Sequence, residues 1–278
     1  MNLTPRPAVT VVIATQAGDS WSSLVRTVAS ARSQTHRPAE VLVVVDHDTD
    51  HYRRVRRDLA GVTVIESDHA PGLPGSRDTG AFHAGTSLIA FLGADVIADP
   101  EWLARLVRPF DDPAVVGAGA GIRPEWQERR PRWMPDELLW TTGGTYDRNR
   151  GVAGMMVRRA TFREVGGFGL RDAELRTRMS ALGGGRWRLV PDAVIRHEVP
   201  ARDATFGAFV HRCFQEGRAE RAVLRSMPGA VLRNLSAGHP LRAAAVLAAA
   251  AAAAFGAVVA SRRAGEPIAA RRAFEPAR

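Results

Sequence analysis

A chain of 278 residues is long enough for one large domain or two small ones. With 45% hydrophobic and 24% charged residues it has the make-up of a globular protein, which excludes a disordered or low-complexity chain. The formal net charge of +9 is carried by arginine without any lysine; it attracts nucleic acid, anionic lipid or phosphorylated substrates and does not choose among them.

The opening residues, MNLTPRPAVTVVIAT, show no charged segment followed by a long apolar core, so no signal peptide is expected. The single cysteine, Cys213, cannot form an internal disulfide, which fits a reducing compartment. Ala8 to Thr15 is β-branched and continuous, as in a strand buried on both faces. Asp19 and Ser20 offer caps to a helix in which Trp21, Leu24, Val25 and Val28 keep helical spacing, and Pro38 closes the unit. A second buried strand, Glu40 to Val45, ends at Asp46. HDTDHYRRVRRDL leads into a helix, and Gly61 to Glu66 forms a third strand. The alternation predicts a parallel, doubly wound α/β sheet.

The stretch from Ser87 to Leu103 organises the rest. The apolar run Leu88 to Leu92 stops at Gly93-Ala94-Asp95, and EWLARLVRPF then reads as a helix. Ligands of open α/β sheets bind beyond the carboxyl ends of the strands. Thr15, Asp46 and Asp95 therefore fall on one edge, where a nucleotide or a metal ion would sit. Thr15 and Asp46 read equally well as residues that cap the following turns.

Two lookalikes are set aside. His47, Asp48, Asp50 and His51 share one short loop without the spacing of a zinc site. The glycines of Gly117 to Gly121 resemble part of a dinucleotide fingerprint, but no amphipathic helix or acidic partner follows. Further on, Trp126, Trp133 and Trp140 punctuate a proline-rich connection. Their faces suit sugar rings or lipid-phosphate acceptors, and they suit equally the packing of a lid. Gly143, Gly144 and Gly154 permit close backbone approach.

Arg202 to Arg225 reads as an arginine-rich amphipathic helix of the kind that lies on anionic membranes, broken at Pro228-Gly229. Residues 226–242 read as a linker. Ala243 to Ala260 carries no charge and is expected either to span a membrane or to lie as a membrane-surface or soluble helix. The segment 261–278 reads as a disordered basic tail.

Six segments, in order from about Val9 to Pro200, resemble the family 2 glycosyltransferases, inverting enzymes of the GT-A fold. They are VTVVIAT with VASARSQTHRPAEVLVVVD, then GSRDTGAFHAG, IAFLGADVIADPEWL, GMMVRRATFREVGGF, DAELRTRM and AVIRHEVP. The resemblance implies a GT-A-type, mostly parallel sheet with a C-terminal helical extension. It implies a domain over 1–225, in which 8–122 binds a nucleotide sugar and 123–225 faces the acceptor. By the same resemblance Thr15, Asp46 and Arg77 bind the nucleotide. Asp95 and His197 hold a divalent metal, Mg2+ or Mn2+. Asp172 is the general base, and Trp140 and Gly154 lie on the acceptor side. His197 also reads as a histidine merely satisfied at a strand end, and Asp172 as a helix N-cap.

Three features depart from the family pattern. Gly93 and Ala94 leave one carboxylate in the metal loop, Arg171 replaces an acidic neighbour of the base, and the gap from Phe168 to Asp172 is short. The resemblance implies transfer of a sugar to a glycan or lipid-linked acceptor at the cytoplasmic face of a membrane, in cell-envelope polysaccharide synthesis. The alternative is a catalytically degenerate, nucleotide-binding paralogue of the same fold. Nucleic-acid binding would account for the charge but not for the ordered motifs, and no nucleic-acid partner is expected.

Overall fold

The computed structural model describes residues 7–142, 154–169, 172–219 and 227–264. The chain divides into two compact units, Met1–Glu125 with Asp147–Glu198, and Trp126–Tyr146 with Val199–Arg278.

The first unit opens as the alternation predicts, with β1 (Val9–Thr15), α1 (Trp21–Arg32), β2 (Glu40–Val45), α2 (Thr49–Asp58), β3 (Thr63–Glu66), α3 (Leu73–His83) and β4 (Leu88–Gly93). Then come β5 (Val96–Ala98), α4 (Trp102–Val107), β6 (Val115–Trp126), β7 (Met155–Arg158), α5 (Arg159–Glu164), α6 (Asp172–Ala181) and β8 (Arg186–Val199). Among the described residues these strands form one sheet in the order β3-β2-β1-β4-β7-β6-β8-β5. Strands β1 to β4 pair in parallel, whereas β4 with β7, β6 with β7 and β5 with β8 pair antiparallel.

Both sheet faces are covered, which is why β1 reads as one apolar run. Val9, Val11 and Ile13 point to a core shared with Leu24 of α1 and with Trp102, Leu103 and Leu106 of α4. Val12 points the other way, to Ala81, Phe91, Phe162 and Phe168. Local chemistry sets the helix starts: Ser20 accepts the Ser23 N–H, and Asp48 accepts the His51 N–H at 2.6 Å. The helix expected over EWLARLVRPF is α-helical through Val107 and tightens to a 3-10 turn over Arg108–Asp111, where Pro109 cannot donate to the ladder.

The second unit holds α7 (Phe206–Ala219), α8 (Met227–Ser236) and α9 (Pro240–Ala264). Its core gathers Met134, Leu138, Phe209, Cys213, Met227 and Val246. Two differences from the sequence reading have a common cause. The segment read as a linker, 226–242, contains α8, and α9 begins at Pro240 rather than Ala243. In both helices proline stands in the first turn, where its missing N–H costs nothing, so it starts a helix instead of breaking one. The amphipathic helix read from Arg202 is a 3-10 turn over Ala201–Ala204 followed by α7. Residues 220–226 and the tail beyond Ala264 lie outside the described residues.

Candidate functional site

Parallel register brings the carboxyl ends of β1, β2 and β4 to one edge. Thr15 is the partner of Val45, and Ala14 of Gly93, so Thr15, Asp46 and the Gly93–Asp95 turn leave the sheet together. Thr15 is fully buried. Its hydroxyl donates to Asp19 Oδ2 at 3.0 Å and lies 3.2 Å from His51 Nε2. Asp46 accepts the Gly72 N–H at 2.9 and 3.0 Å and the Ser76 hydroxyl at 3.2 Å. Its carboxylate is thereby fixed against the start of α3, where a negative charge is favoured. Arg77 follows on the same helix, with its guanidinium carbon 5.8 Å from the Phe168 ring centre.

Asp95 meets His197 through the β5–β8 ladder. Val96 and His197 are register partners, so the residue just before β5 lies beside the imidazole. His197 Nε2 is 2.9 Å from Asp95 Oδ2. Loss of solvent around Asp95 is the largest single influence on its carboxyl and acts upward. The hydrogen bond and charge of His197, the backbone amide of Asp95 and the Arg77 charge together outweigh it and hold the carboxyl below its ordinary value. The Asp95 side chain is still 61% exposed, in keeping with that outcome. Buried His197 Nδ1 has no hydrogen-bond partner among the described residues, so Nε2 is the outlet for the ring's polarity. Glu198, the next residue, is paired with Arg26 and accepts the Ser23 hydroxyl.

A carboxylate oxygen and an imidazole nitrogen are donors that Mg2+ or Mn2+ accepts. Adjacent ligands of an octahedral ion with bonds of about 2.1 Å stand about 3 Å apart. The 2.9 Å spacing of Asp95 Oδ2 and His197 Nε2 fits that edge. Among the described residues no group of three or more His, Cys, Asp or Glu gathers as a metal site.

Asp172 opens α6; its side chain, with Leu170 and Arg171, lies outside the described residues. The turn that precedes it is firmly held. Arg178 of α6 donates to the carbonyls of Val165, Gly167 and Phe168 at 2.6–2.7 Å. From the other side, buried Asp78 accepts the Phe168 N–H. Sequence reasoning assigned no role to Asp78, Arg178 or His51. For Asp78 a signal existed, since an acidic residue on the inner face of a core-packed helix needs a partner.

Gly154, expected on the acceptor side, has φ +81°, and a Cβ there would stand 2.7 Å from Ile195 Cδ1. It carries the chain into β7 by donating to the Phe91 carbonyl and accepting the Ala120 N–H. Trp140 lies in the second unit, half-buried against its core together with Trp126 and Trp133. Trp133 meets Phe206 and Phe209 with ring centres 5.1 Å apart. Gly143 and Gly144 lie outside the described residues.

The family model for glycosyl transferase family 2 matches residues 10–166. The glucosyl-dolichyl phosphate glucuronosyltransferase of Haloferax volcanii is 30% identical over 173 residues, which are 58% of this chain and 55% of that protein. A probable N-acetylgalactosaminyltransferase 7 of Caenorhabditis elegans is 31% identical over 114 residues, 37% of this chain and 18% of that protein. The chain thus spans about half the length of the first curated relative. Among solved structures, a mannosyltransferase from Pyrobaculum calidifontis in complex with GDP-Man and Mn2+ matches with a TM-score of 0.58 at 23% identity. That match covers 97% of this chain and 79% of the other. GalNAc-T7 with UDP, GalNAc and Mn2+ matches with a TM-score of 0.53 at 19% identity, covering 76% and 48%. With more than half its length matched by the family model and a GT-A sheet beneath the matched segments, this chain belongs to glycosyl transferase family 2.

Proposed function

We propose that the protein transfers a sugar from a nucleoside-diphosphate donor to a glycan or lipid-linked acceptor, with inversion at the anomeric carbon, at the cytoplasmic face of a membrane. The observation that carries this reading is the pairing of Asp95 with His197 on the sheet edge that also bears Thr15 and Asp46. Asp46, with its oxygens already held by Gly72 and Ser76, has lone pairs left for a base or ribose donor. The charge of Arg77, which acts on Asp95, faces the diphosphate in this reading. Asp95 and His197 would hold Mg2+ or Mn2+, whose charge offsets the negative charge that grows on the departing diphosphate.

The remaining work falls to the chain. Asp172 takes the proton of the acceptor hydroxyl as its oxygen bonds to the anomeric carbon and the bond to the diphosphate breaks on the opposite face. The hydrogen bonds of Arg178, which tie α6 to the Phe168 turn, support this role by holding the helix in place. Trp140 and the backbone at Gly154 are assigned to the acceptor side. The dolichyl-phosphate-linked substrate in the name of the Haloferax relative supports a lipid-linked acceptor here. The Mn2+ complexes of the two structural neighbours support the metal.

Asp172→Asn tests the reading. Asparagine serves as well as aspartate at a helix start. Turnover of the donor should fall about 10²–10⁴-fold while nucleoside diphosphate binding stays unchanged, because the base acts on the acceptor alone. An unchanged rate would remove Asp172 from the chemistry.

A further inference from the structure

Between Ala243 and Ala260, helix α9 is apolar on every side. Inward it buries Val246, Ala249 and Ala253. Outward it exposes Leu241 (64%), Leu247 (58%), Phe255 (63%) and Val258 (48%), and α8 exposes Leu232 (68%) and Leu235 (53%). On α9 exposed alanines at 244, 251 and 254 fill the gaps, so the bare positions follow the three-and-four spacing of one helix face. A helix of a water-soluble protein places polar residues on that face.

By composition Pro240–Ser261 could cross a bilayer, with 22 residues at a mean hydropathy of 2.2. At about 1.5 Å per residue its length of about 33 Å suffices. The packing opposes it. A Cβ at Gly217 would lie 1.9 Å from the Ala253 carbonyl oxygen, and one at Gly256 would lie 2.1 Å from that of Phe214. Helices α7 and α9 therefore run antiparallel in backbone contact. A crossing α9 would draw α7 into hydrocarbon with exposed His211, Arg212, Gln215 and Arg218, a strongly unfavourable transfer.

Charge selects the occupant of the bare stripe. From Val199 onward the chain has twelve arginines against five acidic residues. Arg233 lies between Leu232 and Leu235 and stays 63% exposed while paired with Glu137. Arg242 adjoins Leu241 and pairs with Asp136 at 3.7 Å. An apolar stripe in an arginine-rich setting complements anionic lipid, whereas a second copy would bring the same positive charge against it. We propose that the outer stripe of α8 and α9 embeds in an anionic lipid surface, with α9 lying flat in the interface rather than crossing it.

The full chain, without nucleotide or acceptor, is mixed with vesicles of phosphatidylcholine alone or with added phosphatidylglycerol, and sedimented. It should bind the anionic vesicles, bind the neutral ones more weakly, and be released by alkaline carbonate. Changing Leu232, Leu235, Leu241 and Leu247 together to Gln should lower the partition coefficient about tenfold or more, since binding scales with buried apolar area. Those side chains are exposed, so the circular dichroism and melting of the variant should not change. If the variant misfolds, the wild-type chain still decides. No vesicle binding, carbonate-resistant retention, or a defined dimer in light scattering without vesicle binding would each overturn the proposal. No donor is present, so failure here is separate from failure of the glycosyltransferase reading.

Discussion

Asp78 Oδ1 accepts the Phe168 N–H at 2.8 Å and so ties α3 to the Gly-Gly-Phe turn ninety residues further along the chain. Gly167 sits tight against the same carboxylate. A Cβ there would come within 2.4 Å of Asp78 Oδ1, and the φ of +74° is one that side chains rarely adopt. The two residues join α3 to the Gly-Gly-Phe turn, which Arg178 in turn ties to α6.

Asp78→Ala should destabilise the fold by about 1–3 kcal/mol, the cost of stranding a buried donor. Gly167→Ala should cost at least as much, because it adds backbone strain to a steric clash. Urea denaturation measures both. A loss of only a few tenths of a kcal/mol for Asp78→Ala would mean that the turn holds without it.

Helices α7 and α9 depend on two glycines in the same way. Gly217→Ala or Gly256→Ala forces the backbones apart at the Ala253 and Phe214 carbonyls. Each should destabilise the second unit by about 1–3 kcal/mol, as overpacking does. The readout is Cys213, which is buried, its thiol pushed up to about 12 by burial and then by the charge of Glu216. Labelling of Cys213 by a disulfide reagent should be slow in the wild-type chain and faster in both variants. Equal labelling rates would contradict the packing.

Asp68 makes the stability dependent on pH. The hydrogen bond from Thr79, against a smaller opposing effect of burial and with help from His69 and His83, holds its carboxyl at about 2. A carboxyl lowered on folding stabilises the native state above its unfolded value of 3.8 and ceases to do so as pH falls through about 2. Asp68→Asn should therefore lower the melting temperature at neutral pH, and the difference from wild type should close between about pH 4 and pH 2. A difference that persists at pH 2 would assign the effect to something other than this carboxylate.

The parallel half of the sheet was legible because β1, β2 and β4 are buried on both faces, and two-sided burial leaves an unbroken apolar run. The carboxyl edge followed from topology, which placed Thr15, Asp46 and Asp95 together. Strand β5 was not legible: Val96–Ala98 is three residues long and owes its pairing to β8, about a hundred residues away. Family resemblance assigned Asp95 and His197 to a common metal ion; their direct contact comes from the β5–β8 register and was not read from the sequence. The glycine row of β6, set aside as a dinucleotide-fingerprint lookalike, serves packing instead. A Cβ at Gly117 would meet the Trp187 ring at 2.2 Å and one at Gly121 the Pro191 carbonyl at 2.4 Å. These glycines admit neighbouring chain within the sheet, a packing role that the sequence alone did not reveal. Helix α8 was hidden by Pro228-Gly229, which reads as a break unless the helix is known to start there.

Calorimetric titration with UDP and with GDP, each with and without Mn2+, tests the donor site most directly. At least one nucleotide should bind the wild-type chain in a Mn2+-dependent manner. Asp95→Ala should abolish that dependence while leaving the melting temperature of the ligand-free protein within about a degree or two, as for an exposed substitution. His197→Ala should weaken the dependence without affecting the parallel half of the sheet. Binding of neither nucleotide under any metal condition, or Mn2+-dependent binding that survives Asp95→Ala, would contradict the assignment of this sheet edge as the nucleotide-sugar site.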